Sequence, residues 1–270
     1  MKLTFLGSGS AFTLGADNFQ SNMLLTSNTG KKLLLDCGSD IRFSLHALGM
    51  SHRDITDIYI SHLHADHVGG LEYVGFSTKF DPSCERPNLY IEDDLADQLW
   101  NRTLSGGMRS IEGQITELET FFAVEKVKPN GHFTWEDVDF NLVKVIHVNN
   151  GQFIMPTYGL FFEVDGLKVF MSSDTQFVID ELIEYYQKAD IIFHDCETAQ
   201  FPTKIHAHYQ QLITLPETIK RKMWLYHFQP GELPNAQQEG FCGFVQRGQM
   251  FDFESSLSGL LEKESVVMSY

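Results

Sequence analysis

Short apolar runs, each bounded by glycine or by polar turn residues, recur through the first 100 residues of the chain. Such runs are typical of β-strands, and they predict strands at residues 3–6, 23–25, 32–38, 57–60 and 88–91. Apolar side chains at helical spacing follow the third run and stop before Gly49, a residue type that commonly ends a helix. Residues 71–74 and 94–100 predict two further helical segments. This part of the chain is therefore expected to alternate between strands and helices.

The second half of the chain carries longer extended segments. Strands are predicted at residues 121–127, 133–135, 138–148, 158–164, 167–171, 191–193 and 223–226. Asp165-Gly166 separates two of these strands and is a strong hairpin signal. One helix is predicted from residue 179 to residue 186, and another over residues 210–220 with an interruption at Pro216. Strands dominate both halves and helices lie between them, so the pattern favours two packed sheets covered by helices.

Residues 101–118 show no helical or strand period and contain Gly106, Gly107 and Gly113. We expect a loop or lid here, which could cover a neighbour's pocket or the chain's own. The chain has 270 residues, of which 43% are hydrophobic, so it is long enough to bury a large core. It contains no linker rich in Pro, Ser or Gly and no short repeat. A single domain spanning residues 1–270 is the expected organisation.

One stretch carries most of the candidate chemistry. The strand at residues 57–60 runs directly into a loop with the sequence Ser61-His62-Leu63-His64-Ala65-Asp66-His67-Val68-Gly69-Gly70. Imidazole and carboxylate groups are the ligands that Zn, Mn, Fe and Ni prefer in proteins. Four such donors on one short loop cannot easily converge on a single tetrahedral ion. They can serve two adjacent ions, with His62 and His64 on one and Asp66 and His67 on the other.

Three more donors follow short apolar runs later in the chain, namely His147, Asp174 and His227. Because each comes at the end of a predicted strand, a common sheet edge could present them together. Two adjacent cations repel each other strongly unless an anionic ligand lies between them. These residues are therefore candidates to complete a centre with two divalent metal ions.

The spacing His62-x-His64-x-Asp66-His67 resembles the signature of the metallo-β-lactamase fold superfamily. This resemblance implies an α/β fold, an αββα sandwich, with two Zn or Mn ions in a cleft at one edge between the sheets. The later motifs match in order. By this resemblance, His147 completes the first site with His62 and His64, and His227 completes the second with Asp66 and His67. Asp174 bridges the two ions.

The first residues, Lys2-Leu3-Thr4-Phe5-Leu6-Gly7-Ser8-Gly9-Ser10-Ala11-Phe12, are similar to the start of the transfer-RNA 3′-processing endonuclease tRNase Z. In that family a Glu orients a His that protonates the leaving oxygen. The resemblance implies that Glu197 orients His206, with His208 as the alternative. The Pro-x-Lys-x-Arg-Asn loop of tRNase Z and its basic, Gly/Pro-rich arm are absent from the sequence.

The later motifs also resemble a smaller group, the anti-Pycsar nucleases of phages and their bacterial homologues, which degrade cyclic CMP and cyclic UMP and so block a host defence. The motifs that carry this resemblance are His206-Ala207-His208-Tyr209, Leu215-Pro216-Glu217 and Trp224-Leu225-Tyr226-His227. The resemblance implies a cyclic-nucleotide substrate. It also implies a homodimer, which both groups of relatives form.

Charge, hydropathy and cysteine usage indicate which partners and which compartment suit the chain. The formal net charge is −16 and no segment is rich in Lys or Arg, so a long nucleic acid is an unfavourable partner. No apolar run approaches 18 residues, so no membrane span is expected. The four cysteines are scattered and form no CxxC pair, which is typical of a reducing cytoplasm.

The sequence therefore predicts a di-metal phosphodiesterase that hydrolyses 3′,5′-cyclic mononucleotides. Asp66 would ligate one ion and accept a proton from water, and His206 would protonate the leaving ribose oxygen. Phe12, Phe19 and Tyr209 could stack on the base. The alternatives are a tRNase Z-like RNA 3′-processing endonuclease, a lactonase or thioesterase, and a non-catalytic nucleotide sensor.

Overall fold

Two seven-stranded sheets form the centre of the computed structural model, which describes residues 1–14, 17–255 and 257–261. The first sheet has the order β14-β1-β2-β3-β4-β5-β6 and the second the order β13-β12-β11-β10-β9-β8-β7. The first contains β1 (Lys2–Phe5), β2 (Met23–Thr26), β3 (Lys32–Leu35), β4 (Asp57–Ile60), β5 (Asn88–Glu92), β6 (Ala123–Val127) and β14 (Met250–Asp252). The second contains β7 (His132–Trp135), β8 (Val138–Asn149), β9 (Ile154–Val164), β10 (Leu167–Met171), β11 (Ile191–Asp195), β12 (Met223–Tyr226) and β13 (Gly243–Phe244).

Short helices connect the strands. The α-helices are α1 (Ile41–Ala47), α2 (Ala65–Val68), α3 (Leu71–Phe80), α4 (Asp93–Gln98), α5 (Ser105–Met108), α6 (Ile179–Lys188), α7 (Tyr209–Leu212), α8 (Glu217–Lys220) and α9 (Leu257–Leu261). A π-helix spans Leu99–Leu104, and 3₁₀ turns span His52–Asp54 and Leu118–Thr120. Within the described ranges, none of these helices has the length and apolar character needed to cross a bilayer.

Aromatic side chains fill the space between the two sheets. Phe5 on β1 lies 5.5 Å from Phe193 on β11, measured between ring centroids. Further along the sandwich, the Phe133 ring of the second sheet stacks on Tyr59 and Tyr90 of the first. Such pairs bury large apolar areas and add a directional contribution of about 0.5–1.5 kcal/mol each. A second apolar cluster, which includes Leu182 on α6, covers the outer face of the second sheet. The predicted αββα sandwich is confirmed.

The Asp165-Gly166 hairpin is also confirmed. Both residues have a positive φ, 52° and 78°, as a type I′ turn between β9 and β10 requires. The interruption predicted at Pro216 falls between α7 and α8.

The prediction of a loop or lid over residues 101–118 is wrong for residues 101–108. These residues continue the π-helix and form α5, and their apolar side chains Leu104 and Met108 are buried. Leu99 and Leu104 are five residues apart, which fits the i→i+5 bonding of a π-helix and not the usual helical period. That spacing is why the segment appeared unpatterned. None of its described residues lines the pocket at the candidate site below.

Candidate active site

The seven predicted ligands lie together at one edge of the sandwich. Strands β3, β4, β5 and β6 are parallel in the first sheet, and β10, β11, β12 and β13 are parallel in the second. The carboxyl ends of parallel strands meet at the same edge of a sheet, so residues that directly follow them are neighbours. The structure brings together His62, His64, Asp66 and His67 after β4, Asp174 after β10, His227 after β12, and His147 from β8.

His147 is presented differently from the others. It does not follow a strand as Asp174 and His227 do, because β8 continues through it to Asn149. The register with β9 shifts between Ile146 and Val148, so His147 occupies a β-bulge. A bulge rotates the side chain relative to its neighbours, and such irregularities are common beside active sites. The Nδ1 of His147 hydrogen-bonds the Ile205 carbonyl at 2.8 Å, which leaves Nε2 directed at the cluster.

Left-handed backbone recurs at the strand ends that carry the site. Asp36, Ser173 and His227 have φ values of 62°, 52° and 65°. This conformation costs a residue other than glycine roughly 1–2 kcal/mol, because Cβ crowds the following carbonyl. Such residues persist where the surrounding structure fixes them, often at functional sites. Here the conformation turns the chain sharply at the end of β3, β10 and β12 and directs the adjacent side chains into the cleft.

The first group of donors is built around His64. Its Nδ1 lies 3.1 Å from His62 Nε2 and 3.0 Å from His147 Nε2. The carboxylate Oδ2 of Asp174 lies 3.8 Å from His62 Nε2 and 3.7 Å from His147 Nε2. Three ring nitrogens and one carboxylate oxygen thus converge on a small volume, all within 4.8 Å of one another.

The second group shares Asp174 with the first. Asp174 Oδ2 lies 3.3 Å from His67 Nε2 and 3.4 Å from His227 Nε2. Asp66 Oδ2 lies 3.2 Å and 3.3 Å from the same two nitrogens. His67 Nε2 and Asp174 Oδ1 are buried, yet neither makes a hydrogen bond within the described residues. Buried polar atoms are nearly always bonded, so these atoms fit a divalent cation placed among them.

Electrostatics supports this conclusion for the imidazoles of the first group, whereas in the second group the surrounding carboxylates outweigh burial and raise the pKa of His67 and His227 above its ordinary value. Burial lowers the pKa of His62 well below its ordinary value and the pKa of His147 to about 4, so these imidazoles are neutral with a lone pair available. Burial alone would raise the pKa of Asp174, but the neighbouring His227 and His67 outweigh it and hold that pKa well below its usual range. Neutral imidazoles and ionised carboxylates are the protonation states that bind metals.

Asp36 is a candidate site residue that the sequence reasoning missed. Its Oδ2 accepts hydrogen bonds from His67 Nδ1 and Ser61 Oγ, both at 2.7 Å, and its Oδ1 accepts one from the Ser61 amide. This carboxylate fixes the His67 ring so that Nε2 faces the cluster, a common support for a metal-binding histidine. The signal was present, because Asp36 follows the apolar run of β3 as Asp174 follows that of β10.

His206 lies against the cluster, with its ring 4.7 Å from that of His227. The residue paired with it is Asp195, whose Oδ2 is 2.8 Å from His206 Nδ1. The expected pairing of Glu197 with His206 is therefore wrong. Glu197 lies two residues beyond the end of β11 and pairs through its backbone with Ala207 and Tyr209. Its carboxylate accepts hydrogen bonds from the Thr203 amide, at 3.1 Å and 3.0 Å.

The alternative histidine, His208, lies away from the donors. Its Nε2 contacts the Ala199 carbonyl at 2.9 Å, and its Nδ1 accepts a hydrogen bond from the Gln210 amide at the start of α7. This geometry leaves His206 as the histidine beside the candidate ligands. Burial lowers the pKa of His206, but the Asp195 carboxylate outweighs that effect and raises the pKa above its ordinary value.

A cavity of about 690 Å³ opens onto the cluster. Asp66, Asp174, His206 and His227 contribute to its lining, and no Lys or Arg is found among the described residues around it. A larger cleft of about 910 Å³ lies elsewhere, along residues 233–237 and 243–248, and none of the candidate ligands lines it. The chemistry therefore belongs to the smaller cavity.

The three aromatic residues proposed to stack on a base have different positions. Phe12 lines the cavity and is 89% exposed, so its ring is available to a ligand. Tyr209 is buried against Phe241 and Phe244, and Phe19 lies under the guanidinium of Arg247. Neither Tyr209 nor Phe19 lines the cavity, so the interpretation as a base platform is retained for Phe12 alone.

Comparison with known proteins identifies the family. The family model described as "Anti-Pycsar protein Apyc1" matches residues 1–251. An anti-Pycsar protein Apyc1 from Paenibacillus harenae is 34% identical over 230 residues, covering 84% of this chain and 90% of the relative. One from Bacillus phage vB_BveM-Goe7 is 32% identical over 260 residues, covering 92% and 96%.

Solved structures share the fold. The metallo-β-lactamase fold protein YhfI from Bacillus subtilis superposes with a TM-score of 0.71 at 18% identity, covering 93% of this chain and 98% of that one. The short form of human tRNase Z gives a TM-score of 0.67 at 21% identity, covering 94% and 99%. Together with the His/Asp cluster and the family match, this fold makes the chain a metal-dependent hydrolase. The resemblance inferred from the sequence is confirmed, and the chain belongs to the anti-Pycsar protein Apyc1 family.

Proposed function

We propose that this chain is a phosphodiesterase that hydrolyses 3′,5′-cyclic mononucleotides at a centre of two divalent ions, Zn or Mn. The observation that carries the proposal is the cavity: four of the seven metal-type donors, His64, Asp66, Asp174 and His227, line it, and no Lys or Arg is found among the described residues of its wall. A single phosphodiester can be held by the ions alone. A polynucleotide would need several basic contacts along its backbone, and this cavity offers none of them.

Seven residues would hold the ions. His62, His64 and His147 would bind one, Asp66, His67 and His227 the other, and Asp174 would contact both. When bound, such a pair lowers the pKa of water to near neutrality and offsets the charge that develops on phosphoryl oxygens. The His/Asp donor set suits Zn and Mn.

The remaining groups move protons. Asp195 holds His206 through Nδ1, so the other ring nitrogen, Nε2, is available to the cavity. His206 donates its proton to the leaving ribose oxygen, and Asp195 positions the ring and stabilises its charged form. Asp66, which lines the cavity, would accept a proton from the attacking water. Glu197 supports the loop at Thr203 and has no proton-transfer role in this scheme.

A panel of substrates tests the proposal. Cyclic CMP, UMP, AMP and GMP are expected to be hydrolysed with Mn²⁺ or Zn²⁺, with little preference among bases, whereas a pre-tRNA is expected to be cut slowly or not at all. Bis-p-nitrophenyl phosphate, a 2′,3′-cyclic phosphate and a lactone complete the panel. Their hydrolysis rates test the alternative phosphodiesterase and lactonase activities. Efficient pre-tRNA cleavage at physiological salt, with all four cyclic nucleotides untouched, would contradict the proposal.

Phe12 gives a prediction about substrate affinity. Base–aromatic stacking contributes about 1–3 kcal/mol, so Phe12→Ala is expected to raise KM for all four cyclic nucleotides by roughly 5- to 150-fold. Phe201→Ala is the matched control, because Phe201 is also exposed but does not line the cavity. Steady-state kinetics of both variants give the KM values that test this prediction. Equal KM values for Phe12→Ala and the unmodified enzyme would show that the base lies elsewhere.

The predicted homodimer stays a prediction. Residues 109–117 follow α5 without regular structure and carry Ile115, which is 92% exposed. They remain the part of the expected lid that could contact a second copy.

A further inference from the structure

Gln229 has an amide group whose orientation is fixed. Its Oε1 accepts hydrogen bonds from the Thr198 amide at 2.6 Å and from the Thr198 hydroxyl at 3.2 Å. The Gln229 backbone amide donates to the same hydroxyl at 3.1 Å. These bonds require the oxygen of the amide to face Thr198, so the NH₂ group must face the other way. In the described part of the chain, this NH₂ group has no hydrogen-bond partner.

The position of Gln229 allows its NH₂ group to contact a ligand in the cavity. Gln229 lines the cavity between His227, which lies at the cluster, and Pro230, which is exposed. Gln229 is two positions after His227 in the chain, so their Cα atoms are at most about 7 Å apart. Because both residues line one cavity, a substrate held by its phosphate at the cluster would bring the rest of the nucleotide within reach of Gln229.

The other side-chain amide along the cavity, that of Gln20, is already engaged. The NH₂ group of Gln20 donates to the Ala11 carbonyl and contacts the Ser39 hydroxyl. The Ser39 hydroxyl in turn bonds Gln20 Oε1. Gln229 is thus the side-chain amide available to a ligand among the described lining residues.

Resting on the function proposed above, we propose that Gln229 is a specificity-determining residue that donates a hydrogen bond from Nε2 to the acceptor beside the glycosidic bond. Every nucleobase carries such an acceptor, N3 in purines and O2 in pyrimidines. A single donor at this place would therefore select for a nucleobase without distinguishing the four bases. This contact, together with stacking on Phe12, accounts for the broad base tolerance expected of the enzyme.

The test compares 3′,5′-cyclic AMP with its 3-deaza analogue, in which N3 is replaced by C–H, and with the 7-deaza analogue as the matched ligand control. For the unmodified enzyme, kcat/KM is expected to fall by about tenfold with the 3-deaza compound and to change little with the 7-deaza compound. This comparison needs no variant, so it cannot be confused with misfolding.

Gln229→Glu keeps an oxygen for Thr198 and removes the donor. The ratio of kcat/KM for cyclic AMP over 3-deaza cyclic AMP is expected to fall from about ten to one or below. Thr198→Ala removes the hydroxyl that Gln229 contacts, and is expected to leave this ratio near ten. If Gln229 only anchors Thr198, both variants lower all rates equally and the ratio stays unchanged, which would overturn the assignment.

The two proposals fail in different ways. A ratio near one in the unmodified enzyme, with cyclic AMP still hydrolysed, overturns the role of Gln229 and leaves the proposed function intact. If bis-p-nitrophenyl phosphate is hydrolysed but no cyclic nucleotide is, both proposals are overturned.

Discussion

His64→Ala is expected to abolish measurable turnover and to remove about one divalent ion per chain. His64 Nδ1 is the nitrogen nearest to both His62 and His147, so its loss opens the first group of donors. Water then loses the activation that two ions provide, which accounts for most of the rate. Inductively coupled plasma mass spectrometry on the purified chain gives the metal content, and hydrolysis of cyclic AMP gives the rate.

The same variant is expected to fold. His64 is half-buried, whereas His62 and Asp174 are almost completely buried and support the surrounding strands. The melting temperature of metal-free His64→Ala should therefore lie within about 4 °C of the metal-free parent, a shift that corresponds to about 1 kcal/mol or less. His46→Ala, an exposed histidine on α1, is the control for the loss of any imidazole. Two ions per chain in His64→Ala, with full activity, would contradict the assignment of His64 as a ligand.

His206→Ala is expected to lower kcat for cyclic nucleotides by roughly 10²- to 10⁴-fold while both ions stay bound, the usual range for the loss of a general acid. The leaving ribose oxygen is strongly basic and needs a proton as its bond breaks. p-Nitrophenolate is a weak base and needs little help, so the defect with bis-p-nitrophenyl phosphate is expected to be much smaller. Comparing kcat for the two substrates, with metal content measured on the same sample, separates acid catalysis from metal binding.

The neighbours of His206 supply the controls. Asp195→Asn keeps the shape of the partner and removes its charge, so it is expected to reproduce part of the defect with the same dependence on the leaving group. His208→Ala is expected to leave that dependence unchanged, because His208 contacts Ala199 and Gln210 and not the cluster. His206 also lies within ligand distance of Asp174, Asp195 and His227. Loss of an ion from His206→Ala would therefore assign it to the metal centre.

Sequence reasoning predicted most of the donors that the structure brings together, because residues that follow neighbouring parallel strands meet at one edge of a sheet. The run from His62 to His67, together with Asp174 and His227, could be read from apolar segments and the polar residue after each. The hydrogen-bond partners of these side chains could not be predicted from the order of apolar and polar residues. Asp195 and Glu197 are two residues apart with the same chemistry, and only the backbone pairing of Glu197 with Ala207 decides which carboxylate reaches His206.

Irregular backbone explains two other differences between the predicted and the observed structure. A bulge at His147 changes which way its ring points without leaving any composition signal. The π-helix at Leu99–Leu104 has a spacing that neither the helical nor the strand template matches. Asp36 holds a candidate ligand in place and does not itself face the cluster, and a motif of metal-binding residues carries no signal for such a support.

The left-handed residues at the strand ends also bear on how this enzyme can be improved. Methods that raise thermal stability often place glycine wherever φ is positive, because this removes steric strain. At Asp36 and His227 that substitution would delete a carboxylate or an imidazole on which the centre depends. Relieving the backbone strain at these two residues would therefore also remove a group needed for function. This is a local case of the trade-off between stability and activity. Engineering for durability should therefore begin away from the ends of β3 and β12.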